Sequence, residues 1–417
     1  MGDYSLECLY CGSVYNDDYQ LACDRNHEPA FLRTRYSTKQ LKHLNVSGIF
    51  KFCEWLPCNK ILNLGGLPAT YKSETLGREL GLKNLYVSFS GYWPEKNAYM
   101  ETCSFKELEA PPTIARASEI KNEILVVASA GNTGRAFAQF LSKTGYPGYI
   151  VVPESGLEMM WLLEEPAENV KLIAVKGDYS DAISISNKIA SFKGFIKEGG
   201  AKNVARRDGM GTVMLEFVAI TKRIPDSYFQ VIGSGTGAIA TWEAVLRLIE
   251  DRRFGYKKPE LHLSQNHPFK PIYTSWKQGS RKLVKIDEST ARKQIEENFA
   301  KVLTNRNPPY SIIGGVYDAL KDTNGEMYSV TNEEAIAAKK LFKEIEEIDI
   351  LPAASVCFAS LIQAMEKGNV EKEDLILLNI TGGGFERLKE DYSVKYMQPD
   401  IIVDKNTDLG EILELGS

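Results

Sequence analysis

The sequence predicts an α/β protein with two parallel-sheet domains, preceded by a small Cys-bearing N-terminal ribbon. Three observations predict it. From residue 61 onward short apolar runs alternate with helical patterns, and three of those runs end in glycine-rich turns. The chain has 417 residues, more than one core sustains, since single cores stop growing at roughly 250 to 300 residues.

In the first half, "ILVVAS" (124–129) reads as a buried strand, and "NTGRAFAQFLSKTG" (132–145) as a helix stopped by Gly145. "YIVVP" (149–153) is the next strand, followed by a helix near 156–164, the strand "VKLIAVKG" (170–177) and an amphipathic helix over 179–194. Strands separated by helices of this length imply crossover connections and a mostly parallel sheet.

The second half repeats this grammar. Residues 228–250 read as strand, Gly-rich turn and helix, 260–265 as a strand, and 332–349 as a helix capped by Thr331 or Asn332. "LILLNITGGG" (375–384) is a strand ending in glycines, whereas 266–290 is irregular, basic and aromatic. The expected division is 1–40 for the ribbon, 41–92 with 211–417 for a large domain, and 93–210 for a smaller one.

Composition excludes several function classes. The net charge of −5 is spread along the chain, and no stretch has the basic and aromatic pattern of a nucleic-acid track, so no nucleic acid is expected as a partner. No apolar run approaches the roughly 18 residues of a membrane span, and the first residues lack a signal-peptide pattern. The expected location is the cytoplasm, without membrane attachment.

Seven cysteines, at positions 8, 11, 23, 53, 58, 103 and 357, argue for reduced thiols over a disulfide framework. In the head, Cys8-x2-Cys11, Cys23 and His27 have the ligand chemistry of a tetrahedral zinc site. One CxxC with a lone Cys and a His is an imperfect spacing, equally that of a ribbon that has kept only some of its ligands, and no metal is assigned from it.

The glycine-rich turns have the chemistry of anion sites. "SAGNTG" (129–134) follows a strand and opens a helix, so its first amides are free to meet a carboxylate or phosphate. "GSGTG" (233–237) has the same context, with Ser234 and Thr236 hydroxyls to add contacts. A dinucleotide fingerprint fails because Ala238 stands where the third glycine belongs, and a P-loop fails for want of its Gly-Lys ending. Each loop by itself is equally a tight turn of the sheet, and Lys106 by itself a solvated charge.

In this order, Ser104-Phe105-Lys106, Ser129-Ala130-Gly131-Asn132-Thr133-Gly134, Gly233-Ser234-Gly235-Thr236-Gly237 and Thr381-Gly382-Gly383 resemble the motifs of fold-type II (tryptophan synthase β-like) pyridoxal-phosphate enzymes, in their threonine synthase-like branch. The resemblance covers about residues 60 to 390 and implies pyridoxal 5'-phosphate as cofactor. It implies that Lys106 is the catalytic amine attaching it, that Asn132 bonds its phenolic oxygen, that residues 233–237 hold its phosphate and that Thr381 faces its ring nitrogen. Ser129, Ala130, Gly131 and Thr133 are then expected to bind substrate, and a homo-oligomer is expected.

Threonine synthases typically continue Ser-Phe-Lys-Asp-Arg, whereas this chain reads Ser-Phe-Lys-Glu-Leu-Glu-Ala, which points to changed substrate specificity. The longer stretches 91–112, 263–281 and 307–320 resemble a sulfite-using offshoot of that branch. Its substrates, O-phospho-L-serine and sulfite, are the implied small-molecule partners. The competing readings are a threonine synthase acting on O-phospho-L-homoserine and an inactive binding protein on the same scaffold. For the anions, Lys270, Lys277, Arg281, Arg206 and Arg207 are candidate cations, each equally a solvated surface charge.

Overall fold

A computed structural model describes residues 3–404, 406–407 and 409–413. Two largely parallel sheets dominate it. The six-stranded sheet runs, edge to edge, through Glu326–Val330, Glu260–Asn266, Ser227–Val231, Leu375–Ile380, Asn84–Phe89 and Ala69–Lys72, with only the last strand antiparallel to its neighbour. The five-stranded sheet runs through Phe195–Lys197, Ile124–Ala128, Gly148–Pro153, Val170–Val175 and Ile401–Val403, all parallel.

The central strands are apolar on both faces because helices cover both: Leu375–Ile380 and Ser227–Val231 are buried throughout. One helix, Pro352–Glu366, packs against the strands on either side of the sheet centre and buries Val356, Cys357, Phe358 and Leu361. In the six-stranded sheet the connections turn back between Ser227–Val231 and Leu375–Ile380, which pair directly. In an open α/β sheet that switch point is where the carboxyl ends of the strands leave a crevice.

Several elements depart from the sequence reading. No α-helix forms at 156–164: a 3-10 turn, Glu154–Met159, leads into the short strand Trp161–Leu162, which pairs with Lys395–Tyr396. Gly156 close to the Ala130 carbonyl, and Trp161 stacked on Phe385, favour that tertiary contact over a continued helix. The irregular 266–290 stretch contains a helix, Pro271–Lys277, started by the proline at its first position. Ile401–Val403, read as part of a 211–417 unit, pairs in parallel with Val170–Val175 in the other sheet instead, where its backbone covers the edge of that strand.

At the N-terminus the antiparallel strands Tyr4–Cys8, Val14–Tyr15 and Leu32–Tyr36 form a three-stranded ribbon. Its own buried core is five side chains, one of them Val204 from the body. A buried ion pair fastens it: Arg116, inside the helix Ala110–Ile120, donates to both carboxylate oxygens of Asp17 at 2.7 and 2.6 Å and to Asn203 Oδ1 at 2.9 Å. Removing one partner of such a pair leaves the other charge buried, so Asp17→Ala is expected to cost about 3–5 kcal/mol of stability. Urea denaturation checks this, and a loss below about 1 kcal/mol would assign the pair the weight of a surface contact.

Candidate active site

The carboxyl ends of three strands open on one cleft with about 790 Å³ of atom-free space, counting its solvent-filled mouth. The residues expected from the sequence to hold cofactor and substrate line it: Lys106, the turn Ser129–Thr133, the turn Gly233–Gly237 and Thr381. Residues separated by up to 275 positions meet there because Ile124–Ala128 delivers the first turn, Ser227–Val231 the second and Leu375–Ile380 the third.

Lys106 sits on a short 3-10 turn, Phe105–Leu108, whose cap is Ser104. Two backbone hydrogen bonds stitch this turn to Thr381, Gly382 and Gly383. Phe105 N donates to Thr381 O at 3.1 Å and Gly383 N donates to Cys103 O at 3.2 Å, which together make an antiparallel bridge between Ser104 and Gly382. The Lys106 side chain keeps 20% of its surface and reaches no closer than 3.6 Å to the Glu109 carboxylate. Burial holds its amine below the usual lysine range, with Glu109 acting to raise it and Arg206 to lower it further. An amine so placed is neutral more readily than a solvated lysine, as a nucleophile or base requires.

Behind Lys106 lies a buried chain of alternating charge. Arg206 Nε is 2.9 Å from Glu109, its Nη1 donates to Glu198 at 2.8 Å, and its Nη2 meets Thr133 Oγ1 at 3.4 Å. Burial acts to lower the Arg206 pKa, but the two carboxylates more than reverse it, so the guanidinium stays charged. Arg206 therefore ties the lysine turn to the 129–134 turn.

The 129–134 turn is braced by its own serine. Ser129 Oγ accepts from Gly131 N at 2.9 Å and Gly134 N at 2.7 Å, which leaves its one O–H to donate. Asn132 and Thr133 open the helix Asn132–Thr144, and their amides have no carbonyl four residues back within it. Asn132 Oδ1 accepts from Arg135 at 2.9 Å, fixing the amide group of its side chain.

The 233–237 turn opens the 16-residue helix Thr236–Asp251. Gly235 has φ 83°, and a Cβ there would lie 2.2 Å from Val316 Cγ2, so the turn needs glycine on both counts. The Ser234 and Thr236 hydroxyls lie 2.8 Å apart. Amides at a helix start, two hydroxyls, a partly buried amine and the Thr381 hydroxyl form a donor set that suits a phosphorylated aldehyde with a ring to be flanked.

Of the five candidate cations only Arg206 lines the cleft. Arg207 is paired with Glu243 at 2.9 Å, Lys277 with Glu326 at 2.7 Å and Arg281 with Asp318 at 2.6 Å, while Lys270 lies over the Tyr273 ring at 4.7 Å. Leu108, which stands where threonine synthases have arginine, is buried in the core away from the cleft. Glu107 beside it accepts from Gly66 N, Thr102 N and Thr102 Oγ1, and so braces the lysine turn. The sequence reading missed Tyr179, Gln230 and Asn305, which also line the cleft; none stands in a recognisable local pattern.

A profile of the pyridoxal-phosphate dependent enzymes matches residues 70–382, and the chain belongs to that family. Solved structures agree on the fold: a fungal L-serine ammonia-lyase from Rhizomucor miehei superposes with TM-score 0.61 at 15% identity, covering 79% of this chain and 99% of that one. Maize serine racemase superposes with TM-score 0.56 at 16% identity, covering 84% and 90%. Within the family the chain belongs with the cysteate synthases. It is 52% identical to cysteate synthase of Methanosarcina barkeri over 98% of both chains, and 53% identical to that of Methanosarcina acetivorans over 97% of both.

The lysine turn also depends on close approach of the helix Val204–Thr221, where a Cβ on Gly209 would lie 2.1 Å from the Leu108 carbonyl oxygen. Gly209→Ala is expected to push the two apart, at about 1–3 kcal/mol, and to weaken cofactor retention. Urea denaturation and absorbance titration with pyridoxal phosphate check this, and unchanged values in both would contradict it.

Proposed function

We propose that the chain makes L-cysteate, replacing the phosphate of O-phospho-L-serine by sulfite. The observation that carries this reading is the meeting of Lys106 with two amide-rich turns in one cleft, in a chain 52% identical over 98% of its length to a cysteate synthase. In coenzyme M biosynthesis cysteate is an intermediate, and the reading places the protein there, as a cytoplasmic homo-oligomer. Among the described residues no helix is long and apolar enough to cross a membrane.

Residues 233–237 would hold the phosphate of pyridoxal phosphate through main-chain amides, and Lys106 Nζ would attach the cofactor. Asn132 would bond its phenolic oxygen, and the Thr381 hydroxyl, which cannot hold a proton on a ring nitrogen as a carboxylate does, would face that atom. The cofactor supplies an electron sink for the carbanion formed next to the amino group.

The remaining work falls to the chain. Ser129, Ala130, Gly131 and Thr133 bind the substrate carboxylate, with the free amides at the start of the 132–144 helix as donors. Lys106 takes the Cα proton, phosphate leaves from Cβ, sulfite adds at Cβ, and Lys106 returns the proton to Cα. Burial of Lys106, with Arg206 nearby, lowers the pKa of that amine and so favours the neutral form that can take a proton.

Two assays test the reading. Phosphate release is measured from O-phosphoserine and from O-phosphohomoserine, each with and without sulfite, with products identified by mass. Cysteate from phosphoserine plus sulfite is expected; threonine from phosphohomoserine, independent of sulfite, would make this a threonine synthase. Lys106→Ala is expected to lower turnover by at least about 10² to 10⁴ while leaving the urea midpoint near that of the parent, and retained turnover would remove Lys106 from the mechanism.

A further inference from the structure

The cysteine-bearing ribbon lies outside the cleft, and nothing in the reaction uses it. Its Cys8, Cys11, Cys23 and His27 come together so closely that one ligand atom from each lies within 4.8 Å of all the others. We propose that these four side chains bind one structural Zn²⁺, tetrahedrally, through three thiolates and the Nε2 of His27.

The distances carry the argument. Zinc with Zn–S of about 2.3 Å and Zn–N of about 2.0–2.1 Å at tetrahedral angles sets ligand atoms about 3.8 Å apart for S···S and about 3.6 Å for S···N. Here Cys11 Sγ and Cys23 Sγ are 3.7 Å apart, and Cys8 Sγ and His27 Nε2 are 3.5 Å apart. These are opposite edges of one tetrahedron. A third edge, His27 Nε2 to Cys23 Sγ, is tighter at 3.1 Å. The sulfur pair is far beyond the roughly 2.05 Å of a disulfide, and all seven cysteines are free thiols.

The surroundings orient the ligands as a metal needs. His27 Nδ1 lies 2.6 Å from the Glu28 carbonyl oxygen, which can only accept, so Nδ1 carries the proton and Nε2 turns its lone pair to the sulfurs. The Arg25 amide, at 3.5 Å, is placed to donate to Cys23 Sγ, which suits a thiolate, while the Tyr15 hydroxyl, 3.0 Å from the same sulfur, gives its proton to Asp24 Oδ1 at 2.6 Å. Cys8 and Cys11 are brought to one side by a tight turn in which Gly12 N donates to Cys8 O and Cys8 N donates to Ser13 O, both at 2.9 Å, with Gly12 at φ 71°. Three sulfurs and one imidazole in a closed set favour zinc among the divalent metals, and leave no open position for catalysis.

A ribbon with so small a core of its own needs a staple of this kind. The consequence reaches the cleft, because Phe31 N donates to Ile313 O and Ile313 N to Pro29 O, and because Asn203, bonded to Arg116, caps the helix that carries Arg206. Zinc thus holds the platform on which that helix and the 305–315 segment rest.

The full-length, cofactor-loaded protein, made without a polyhistidine tag, is analysed for metals by mass spectrometry. One zinc per chain is expected, falling to background in Cys11→Ser/Cys23→Ser. As a measurement independent of variants, protein produced with cobalt should show the intense visible bands of tetrahedral Co(II) and thiolate charge-transfer absorption. Zinc far below one per chain, iron in its place, a Cys11–Cys23 disulfide, a pale six-coordinate cobalt spectrum, or zinc retained by the double variant would each overturn the proposal.

Discussion

The seam between residues 103–105 and 381–383 is the constraint on which the rest of the site depends. Phe105 N to Thr381 O and Gly383 N to Cys103 O are ordinary backbone hydrogen bonds, each contributing on the order of 1 kcal/mol net. Their value is positional. They lock the lysine-bearing turn to the carboxyl end of the central strand Leu375–Ile380, so that Lys106 and Thr381 face the same space. Without that seam the lysine would sit on an unanchored connection between two sheets.

Around this seam the protein surrounds one amine with buried opposing charges. Lys106, Glu109, Arg206 and Glu198 form a line of alternating sign, with Glu109 fully buried and Arg206 8% exposed. Burying such charges is costly unless each is paired. The arrangement fits a site that handles anions: the cation that faces the cleft is already balanced, so binding falls to helix-start amides, and product anions can depart. At the position where threonine synthases have arginine, Leu108 turns into the core, and the guanidinium that faces the cleft, that of Arg206, comes from another helix.

Much of this was legible in the sequence, for identifiable reasons. The strands 124–128, 227–231 and 375–380 are apolar runs closed by glycines, and the helix Asn332–Glu346 announces itself by the Thr331 and Glu334 capping box. The four motifs kept their order, and each contributes residues to the cleft. What stayed hidden depends on tertiary contacts. The 154–162 segment gives up a helix to pair Trp161–Leu162 with Lys395–Tyr396, and Ile401–Val403 crosses to the other sheet. No local pattern separates Arg206, which faces the cleft, from Arg207, which is paired with Glu243 on the ribbon side of the same helix.

The central claim is that Lys106, alone among the lysines, attaches the cofactor. The most direct measurement is borohydride reduction of the protein loaded with pyridoxal phosphate, followed by proteolysis and mass spectrometry of the peptides. The account predicts a single phosphopyridoxyl group on Lys106; a stable adduct on another lysine, with Lys106 unmodified, would contradict it.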